Sequence, residues 1–253
     1  MICTVLGSGT STGLPVIGCS CSLCTSTDPR DRRLRSSLLL TVREKNWIID
    51  TGPDFRAQAL RVGLTKLDGV FYTHGHADHI LGLDDLRPLS YRHGLDIWAE
   101  QPLLQQLNRM FPYAFVAGDG LNSRPKLRVH EIHVGQRFDA GGLDVLPVRV
   151  FHGKDQILGF RVGKIGYVTD CSALPPPSLD QLKGLEVLFL DGLQRTPHPT
   201  HLTFEKAVLL ARELGAKKTY LTHIGHEIQH QDLQARLPEG IEPAWDGLTL
   251  EVN

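Results

Sequence analysis

The chain lacks an excess of charge of either sign. Its 253 residues contain 27 Lys and Arg against 28 Asp and Glu, which gives a formal net charge of -1 at pH 7. Such a chain exerts no overall electrostatic attraction on nucleic acid or on an anionic membrane. Any phosphate-binding function must therefore come from a local arrangement of residues.

Long apolar runs are also missing. No segment approaches the roughly 20 apolar residues that a membrane-spanning helix requires. The first residues, MICTVLGSGTSTG, contain neither the basic start nor the apolar stretch of an export signal. We therefore expect a cytoplasmic protein without a membrane partner.

Cysteine is scarce, with five in the chain. In the cytoplasm, clustered cysteines more often bind metal or act in catalysis than form disulfides. Cys3 and Cys171 stand alone and are predicted to be buried apolar side chains. The other three lie in GCSCSLC, residues 18–24, and can occupy three positions of a tetrahedral zinc site. A closed site needs a fourth ligand.

Strand-like and helix-like segments follow one another in mixed order and form two similar halves. SSLLLTVREKNWIIDTG predicts a hairpin around REKN, while PDFRAQALRVG, QPLLQQLNRMF and FEKAVLLARELG predict helices. Helical spacing is also expected from Ala77 through Gly94. This order predicts a layered α/β fold with a pair of mixed sheets, a single domain over 1–253 and a site along one sheet edge.

The strongest functional motif is THGHADH, which follows an apolar strand. It supplies His74, His76, Asp78 and His79. Two imidazoles two residues apart can converge on one metal, while the next carboxylate and imidazole turn toward a neighbouring ion. Mixed nitrogen and oxygen ligands suit zinc, manganese or iron.

Three more apolar strands end in a ligand-type residue: VRVFH at His152, GYVTD at Asp170 and TYLTH at His223. Each alone is better explained as a hydrogen-bonded core residue. Together they predict two metal positions that leave room for a shared hydroxide. The first position would use His74, His76 and His152, the second Asp78, His79 and His223, and Asp170 would bridge both.

These motifs resemble the metallo-β-lactamase superfamily, whose five motif regions match from IDTG, with Asp50, to His223. The resemblance implies an α/β (α+β) fold, the αβ/βα four-layer sandwich with two mixed β-sheets, and a dinuclear metal centre on its edge. It also implies that Asp50 orients metal ligands without binding metal. A turn or capping role for Asp50 is the alternative.

The cysteine loop narrows the resemblance. The C-terminal motif continues as LTHIGHEIQ, which places His226 three residues after His223. A GCxCxxC loop combined with T-H-x-x-H resembles the PhnP-type phosphodiesterases of the carbon-phosphorus lyase pathway. The resemblance implies a structural zinc site in which an N-terminal zinc-binding loop, 18–36, is tied to the segment carrying His223. Its ligands would be Cys19, Cys21, Cys24 and His226. Free thiols and a surface histidine are the alternative.

A hydroxide held by two divalent ions is a nucleophile at neutral pH, and the same ions neutralise the oxygens of a phosphodiester. The resemblance implies that His201, in RTPHPTHLTFEKA, is the general acid and that the substrates are small cyclic phosphodiesters. Phosphoribosyl 1,2-cyclic phosphate and 2',3'-cyclic nucleotides are examples. An exposed ring near a helix start is the alternative for His201, and His198 is a candidate substrate contact.

The run RDRRLR supplies Arg30, Arg32, Arg33 and Arg35 directly after the cysteine loop. Guanidinium groups bind phosphate oxygens well, so Arg32 and Arg33 are candidate substrate contacts. A solvated charge run is the alternative.

Other functions remain open from the sequence. An RNase Z-like tRNA 3'-processing nuclease shares H-x-H-x-D-H, but the short YAFVAGDGLNSRPK is the only counterpart to that family's long arm, which argues against a nucleic-acid polymer. A thioester or lactone hydrolase of the same superfamily and a non-catalytic zinc-binding scaffold are further alternatives. Ligand types do not separate Mn2+ from Zn2+ at the catalytic pair, and LLQQLNRMF could support a homodimer.

Overall fold

The computed structural model describes residues 1–116 and 123–252. Within these ranges the chain forms fourteen strands, eight α-helices and two 3-10 helices. The strands are β1 (Ile2–Gly7), β2 (Ser37–Val42), β3 (Lys45–Ile49), β4 (Gly69–Phe71), β5 (Leu95–Ala99), β6 (Leu127–Glu131), β7 (Phe138–Asp139), β8 (Asp144–His152), β9 (Asp155–Val162), β10 (Ile165–Val168), β11 (Val187–Asp191), β12 (Lys218–Thr222), β13 (Ile241–Pro243) and β14 (Thr249–Glu251).

The α-helices are α1 (Phe55–Arg61), α2 (Ala77–Ile80), α3 (Arg87–Ser90), α4 (Gln101–Met110), α5 (Pro112–Phe115), α6 (Pro176–Gln181), α7 (Phe204–Leu214) and α8 (His230–Arg236), and the 3-10 helices are Pro29–Asp31 and Leu83–Leu86. No helix among the described residues has both the length and the apolar surface needed to cross a bilayer.

The described strands form two mixed sheets of seven strands each. The first has the order β14-β1-β2-β3-β4-β5-β6, and the second has the order β13-β12-β11-β10-β9-β8-β7. In the first sheet the pairs from β14 to β3 are antiparallel and those from β3 to β6 are parallel. The second repeats this arrangement, with parallel pairs from β10 to β13. The two halves predicted from the sequence thus correspond to two sheets of similar design.

The buried apolar side chains form three clusters, because side chains alternate between the two faces of each strand. In β2, Leu38 and Leu40 face the opposite sheet, where they pack in one cluster with Phe160 and Phe189. Leu39 points to the other face and packs with α1 and α4. Successive strand residues point to opposite faces of a sheet, so a strand covered on both sides is apolar at every position.

Helices cover the outer face of the second sheet in the same way. Val148 and Leu188 from this sheet pack with Ala207 and Ala211 of α7 and with Leu233 of α8. The order of layers is therefore helix, sheet, sheet, helix. This confirms the predicted αβ/βα sandwich.

The hairpin around REKN is confirmed, and its turn has an unusual backbone. β2 and β3 pair from Val42 and Lys45 outward, and the two turn residues, Arg43 and Glu44, have φ values of 48° and 65°. Two positive φ values are characteristic of the type I′ turn that suits the twist of a two-residue hairpin. The strand pairing keeps this turn even without the usual Asn-Gly.

The helix expected from Ala77 to Gly94 is instead broken into α2, a 3-10 helix and α3. Gly82 donates its N–H to the carbonyl of Thr51 at 2.9 Å, and a Cβ there would lie 2.2 Å from the carbonyl oxygen of Gly52. Pro88 follows at the start of α3 and lacks an N–H for a continuous helix. Close contact with the loop after β3 therefore overrides the helical spacing.

The insert YAFVAGDGLNSRPK, residues 113–126, was compared above with the arm of tRNA-processing nucleases. Its central residues, 117–122, lie outside the described residues.

Candidate metal centre

The predicted ligands meet at one edge of the sandwich, beyond the carboxyl ends of the strands. His74 follows β4, His152 ends β8, Asp170 follows β10 and His223 follows β12. Parallel neighbours in each sheet end at the same edge, and the sheets stack face to face, so residues far apart in sequence converge there. The rest of the set comes from the segment that follows His74, with His76 directly before α2 and Asp78 and His79 within it.

Ligand atoms of the first predicted group lie close enough to share one ion. Those of His74, His76, His152 and Asp170 are all within 4.8 Å of one another. His76 is the exposed member, while the other three are largely buried. The group therefore opens to solvent on the His76 side.

The second group consists of Asp78, His79 and His223, whose ligand atoms also lie within 4.8 Å of one another. Asp170 belongs to this group by distance. Its Oδ2 is 3.2 Å from His79 Nε2 and its Oδ1 is 3.4 Å from His223 Nε2. The same Oδ1 lies 4.0 Å from His74 Nε2 of the first group. Asp170 thus stands between the two groups, where the sequence predicted a bridging ligand.

Asp50 fixes two of the histidine rings through hydrogen bonds on their Nδ1 side, one of them through Thr73. Its Oδ2 accepts a hydrogen bond from His79 Nδ1 at 2.7 Å and another from the Thr73 hydroxyl at 2.7 Å. The Thr73 oxygen in turn accepts from His74 Nδ1 at 2.9 Å. Both rings are thereby fixed with Nε2 toward the site, the arrangement that orients metal-binding imidazoles. Thr73 was not singled out from the sequence, although it stands directly before His74.

His152 is oriented by main-chain oxygens. Its Nδ1 lies 3.0 Å from the carbonyl oxygens of both Asp170 and Thr200. Because carbonyl oxygens only accept hydrogen bonds, Nδ1 carries the proton and Nε2 is left with a free lone pair. A neutral imidazole in this tautomer can bind a cation through Nε2.

The backbone is strained at three of these positions. Asp50, Asp170 and His223 have φ values of 63°, 53° and 57°, in the left-handed region that residues other than glycine rarely occupy. Asp50 and His223 directly follow β3 and β12, and Asp170 lies two residues after the end of β10. Such strain persists only where the surrounding structure fixes it, and it is concentrated at functional sites.

The buried groups of the site have pKa values that are shifted in different directions. Burial opposes ionisation of Asp170, but His223 and His79 beside it hold its pKa well below the usual range. Burial likewise disfavours a charged His79, yet Asp170 and Asp50 raise its pKa well above the usual value. His74 has the opposite shift, because burial and the neighbouring His79 lower its pKa. The buried carboxylates and imidazoles thus influence one another's ionisation strongly, which is typical of functional sites.

The site fits divalent cations on the evidence of its unpaired atoms. The buried Nε2 atoms of His74, His79 and His223 make no hydrogen bond within the described residues. Buried polar atoms are nearly always paired, and leaving one unpaired costs about 1–3 kcal/mol. Nitrogen lone pairs converging beside carboxylates are the ligands that zinc and manganese prefer.

His201 lies beside the metal groups and is held by a residue that the sequence analysis missed. Its Nδ1 donates to Asp191 Oδ1 at 3.0 Å, and Asp191 Oδ2 accepts from the N–H of Leu202 at 2.8 Å. His201 Nε2 faces Asp170 Oδ1 at 4.0 Å. Asp191 ends the apolar strand β11, and that position, shared with Asp50 and Asp170 at the ends of other strands, was the signal available in EVLFLDG.

His198 is exposed at the rim of the site, and its ring centroid lies 5.1 Å from that of His201. Burial and the nearby His201 lower its pKa. Its role as a substrate contact stays a prediction.

The arginine run does not form a phosphate-binding surface as a whole. Arg33 is fully buried, with its Nη2 3.5 Å from Asp31 Oδ1, so the prediction that Arg33 contacts substrate is contradicted by its lack of accessible surface. Arg30 pairs with Asp28 and Arg35 with Asp54. Arg32 is exposed and stays a candidate.

The three cysteines precede His226 by 202 to 207 residues in sequence, yet all four side chains come together. Nε2 of His226 lies 3.5, 3.1 and 3.1 Å from the sulfurs of Cys19, Cys21 and Cys24. Ordinary zinc bond lengths in a tetrahedral site separate sulfur and nitrogen ligands by about 3.5 Å. The backbone N–H of Cys24 is the main reason that the pKa of Cys21 falls to about 6. The cluster therefore fits a zinc site with three cysteine ligands and one histidine ligand. The other two cysteines, Cys3 and Cys171, are buried elsewhere, as predicted.

Comparison with known proteins identifies the class. A family model described as a β-lactamase superfamily domain matches residues 45–224, most of the chain, and the chain belongs to this superfamily. A ribonuclease Z of Geobacillus kaustophilus is 30% identical over 255 residues, with 76% of this chain and 81% of that protein covered. The protein is a metal-dependent hydrolase, as the sequence predicted.

The subgroup follows from a closer match. The crystal structure of a diphosphatase from the PhnP family superposes with a TM-score of 0.92 at 45% identity, covering 98% of this chain and 96% of that one. The predicted resemblance to PhnP-type proteins is confirmed. An octanoyltransferase of Porphyromonas gingivalis is 39% identical over 251 residues, covering 98% of this chain. The chain spans about half of that relative, 51% of its length.

Proposed function

We propose that the protein is a dinuclear metal-dependent phosphodiesterase that hydrolyses small cyclic phosphodiesters, such as 2',3'-cyclic nucleotides or phosphoribosyl cyclic phosphate. The observation that carries this proposal is the position of Asp170. Its carboxylate lies between the two ligand groups. Oδ1 is 4.0 Å from Nε2 of His74, and Oδ2 is 3.2 Å from Nε2 of His79. One bridging carboxylate allows two cations to act on the same phosphate group.

When bound, two divalent ions, Mn2+ or Zn2+, would activate water and neutralise phosphate oxygens. His74, His76 and His152 would hold one ion, and Asp78, His79 and His223 the other. Asp50 holds the His79 ring, and main-chain oxygens hold the His152 ring, in the tautomer that leaves Nε2 toward the site. The protein thus contributes fixed ligands whose orientation needs no rearrangement during the reaction.

His201 is proposed to give a proton to the leaving oxygen. Asp191 accepts a hydrogen bond from the Nδ1–H of His201 and so holds the ring in one orientation. The opposite nitrogen, Nε2, faces Asp170 and the cation positions. A histidine with these two contacts can donate from Nε2 to an alkoxide that departs from phosphorus and regain its proton from solvent.

We further propose that Cys19, Cys21, Cys24 and His226 bind one structural zinc. His226 lies three residues after His223, so this ion would fix the segment that carries a catalytic ligand. A structural zinc would support the fold without an open position for substrate.

Hydrolysis of a diphosphate linkage is the second candidate, favoured by the 45% identity to the PhnP-family diphosphatase. A phosphate leaving group is much less basic than a ribose alkoxide and depends less on a proton donor. The contacts of His201 with Asp191 and Asp170 therefore favour an alkoxide leaving group. Acyl transfer, the activity in the name of the Porphyromonas relative, has less support because the chain covers only half of that protein.

The experiment compares leaving groups in the metal-quantified enzyme. Hydrolysis of bis(p-nitrophenyl) phosphate, 2',3'-cyclic AMP and a dinucleoside diphosphate is measured for the wild type and for His201→Ala. We expect His201→Ala to reduce kcat for the cyclic nucleotide by roughly 100-fold or more, since general acid catalysis contributes about that much. The p-nitrophenyl ester, with its weakly basic leaving group, should lose much less.

His133→Ala is the control, because it removes an exposed imidazole that belongs to none of the ligand groups. An equal loss for all substrates in His201→Ala would contradict the general-acid role. Turnover of the diphosphate alone would favour the second candidate, and failure to hydrolyse any phosphate ester with metal bound would refute both.

A further inference from the structure

A cleft of about 370 Å3 opens beside the first ligand group. His74, His76 and His152 form one wall, and residues from α4 and the hairpin between β8 and β9 form the other. His152 also contacts His201, with ring centroids 4.8 Å apart. A substrate with its phosphate at the histidines would extend its remaining part into this cleft.

The far wall is rich in polar groups. Its polar side chains are those of Glu100, Gln106, Asp155 and Gln156. Gln106 is fixed, because its Nε2 donates to the carbonyl of Gly75 at 2.7 Å. A Cβ at Gly75 would lie 2.1 Å from Gln106 Oε1, which explains why a glycine separates His74 and His76. Amide and carboxylate oxygens on this wall can accept hydrogen bonds from hydroxyl groups.

The described lining of the cleft offers no positive side chain to a second phosphate. Among the described residues that line it there is no lysine or arginine. The carboxylate of Glu100 is bound by both terminal nitrogens of Arg149, at 2.9 and 2.7 Å, so this pair adds no net charge. Asp155 is exposed and adds a negative charge at neutral pH. The wall therefore attracts hydroxyl groups and repels an additional anion.

We propose that this cleft binds a neutral, hydroxyl-bearing sugar and that Asp155 discriminates against substrates with a second phosphate. The inference rests on the proposed phosphodiesterase function and narrows its substrate class. A 2',3'-cyclic nucleotide without another phosphate is preferred over phosphoribosyl cyclic phosphate, whose sugar carries a second phosphate. Specificity of this kind arises from repulsion of the wrong ligand as much as from attraction of the right one.

The test compares kcat/KM for 2',3'-cyclic AMP with that for the same nucleotide phosphorylated at the 5' position. The wild type should prefer the unphosphorylated substrate by about tenfold at low salt, and less at high salt because ions screen the repulsion. Asp155→Asn should reduce this ratio about threefold, and Asp155→Lys about tenfold or more, since it replaces repulsion by attraction. Using a ratio within one variant removes any general effect on the metal chemistry.

Asp180→Asn and Asp180→Lys are the matched controls, because Asp180 lies on α6, is exposed and does not line the cleft. They should leave the ratio at the wild-type value. A wild-type preference for the 5'-phosphorylated substrate, or a ratio that is the same in Asp155→Lys and wild type, overturns the inference while the phosphodiesterase proposal stands. If bis(p-nitrophenyl) phosphate and both nucleotides are untouched by the metal-loaded enzyme, the proposed function fails and the inference fails with it.

Discussion

The histidine and aspartate centre and the cysteine cluster show two ways of assembling ligands. Four ligands of the first stand at or just after strand ends, the others lie at the start of α2 or directly before it, and most are buried. Those of the second lie on loops, and Cys21 is exposed. Strands fix the backbone before any ion binds, whereas a loop depends on the contacts made by its own side chains. We therefore infer that the fold organises the first site and that zinc organises much of the second.

The hydrogen bonds that support the ligands also differ between the two sites. His74, His79 and His152 each use Nδ1 in a hydrogen bond that fixes the ring. Behind the cysteine cluster, Asp31 links the loop to the start of α8, where it accepts from the N–H of His230 at 2.7 Å and from Ser26 at 2.7 Å. The loop is thus anchored in a way that needs no metal. Loss of zinc should loosen the loop without unfolding the sandwich.

The largest effect is expected for Asp170→Ala. Removing the carboxylate between the two ligand groups should disable both, and kcat should fall by roughly a thousandfold or more. Metal ions supply several kcal/mol of transition-state stabilisation, and each 1.4 kcal/mol is about tenfold. Phosphodiester turnover and metal content per chain measure this. Nearly normal turnover in Asp170→Ala would contradict the bridging role.

Asp50→Asn should have a smaller effect on the same site. The amide keeps the shape but loses the charge that holds His79 and, through Thr73, His74. Loss of such a contact typically costs about 10–100-fold in metal affinity or activity. A metal titration with a fluorescent chelator gives the affinity, and Asp180→Asn serves as the control for a change of charge. Unchanged affinity in Asp50→Asn would assign this residue to the turn alone.

Cys24→Ser tests the second site. The variant should lose one zinc per chain and show a lower Tm, while kcat falls less than in Asp50→Asn because the sheet strands still position the catalytic ligands. Cys171→Ala is the control, as this buried cysteine lies outside the cluster. Zinc content is measured by elemental analysis and Tm by calorimetry. Full zinc content in Cys24→Ser would remove the basis for the structural zinc.

The smallest effect concerns His230, which lies behind the cysteine loop. Burial, with Arg30 and Arg33 nearby, lowers its pKa to about 4 from an ordinary value of 6.5. The unfolded chain therefore binds the proton more readily, and this histidine reduces stability as pH falls from about 6.5 toward about 4. His230→Phe, which keeps the ring against Trp245, should remove roughly 1 kcal/mol of the loss in unfolding free energy at pH 5.

Urea unfolding of the metal-free proteins at pH 7.5 and pH 5 checks this expectation. His133→Phe is a control, because His133 is exposed. Parallel losses of stability in wild type and His230→Phe would show that His230 remains accessible to protons in the folded chain.

Much of the fold and of the candidate site was predictable because both depend on local patterns. Apolar runs ending in His or Asp predicted strands and ligands together, and a ligand placed after a parallel strand has few positions it can take. The helix expected from Ala77 failed for a non-local reason, the contact of Gly82 with the loop after β3. The prediction that Arg33 contacts substrate was wrong for the same kind of reason, since local sequence gives no sign that the fold buries this guanidinium.

The sequence by itself determined the types of ligand, their spacing and their places at strand ends, because these follow from side-chain chemistry and strand periodicity. Tertiary structure alone decided which carboxylate supports which histidine: Asp50 holds His79, while Asp191 holds His201. It also set Asp155, from β9, and Gln106, from α4, on one wall of the cleft. These pairings depend on how two sheets stack, and no short-range pattern encodes that geometry.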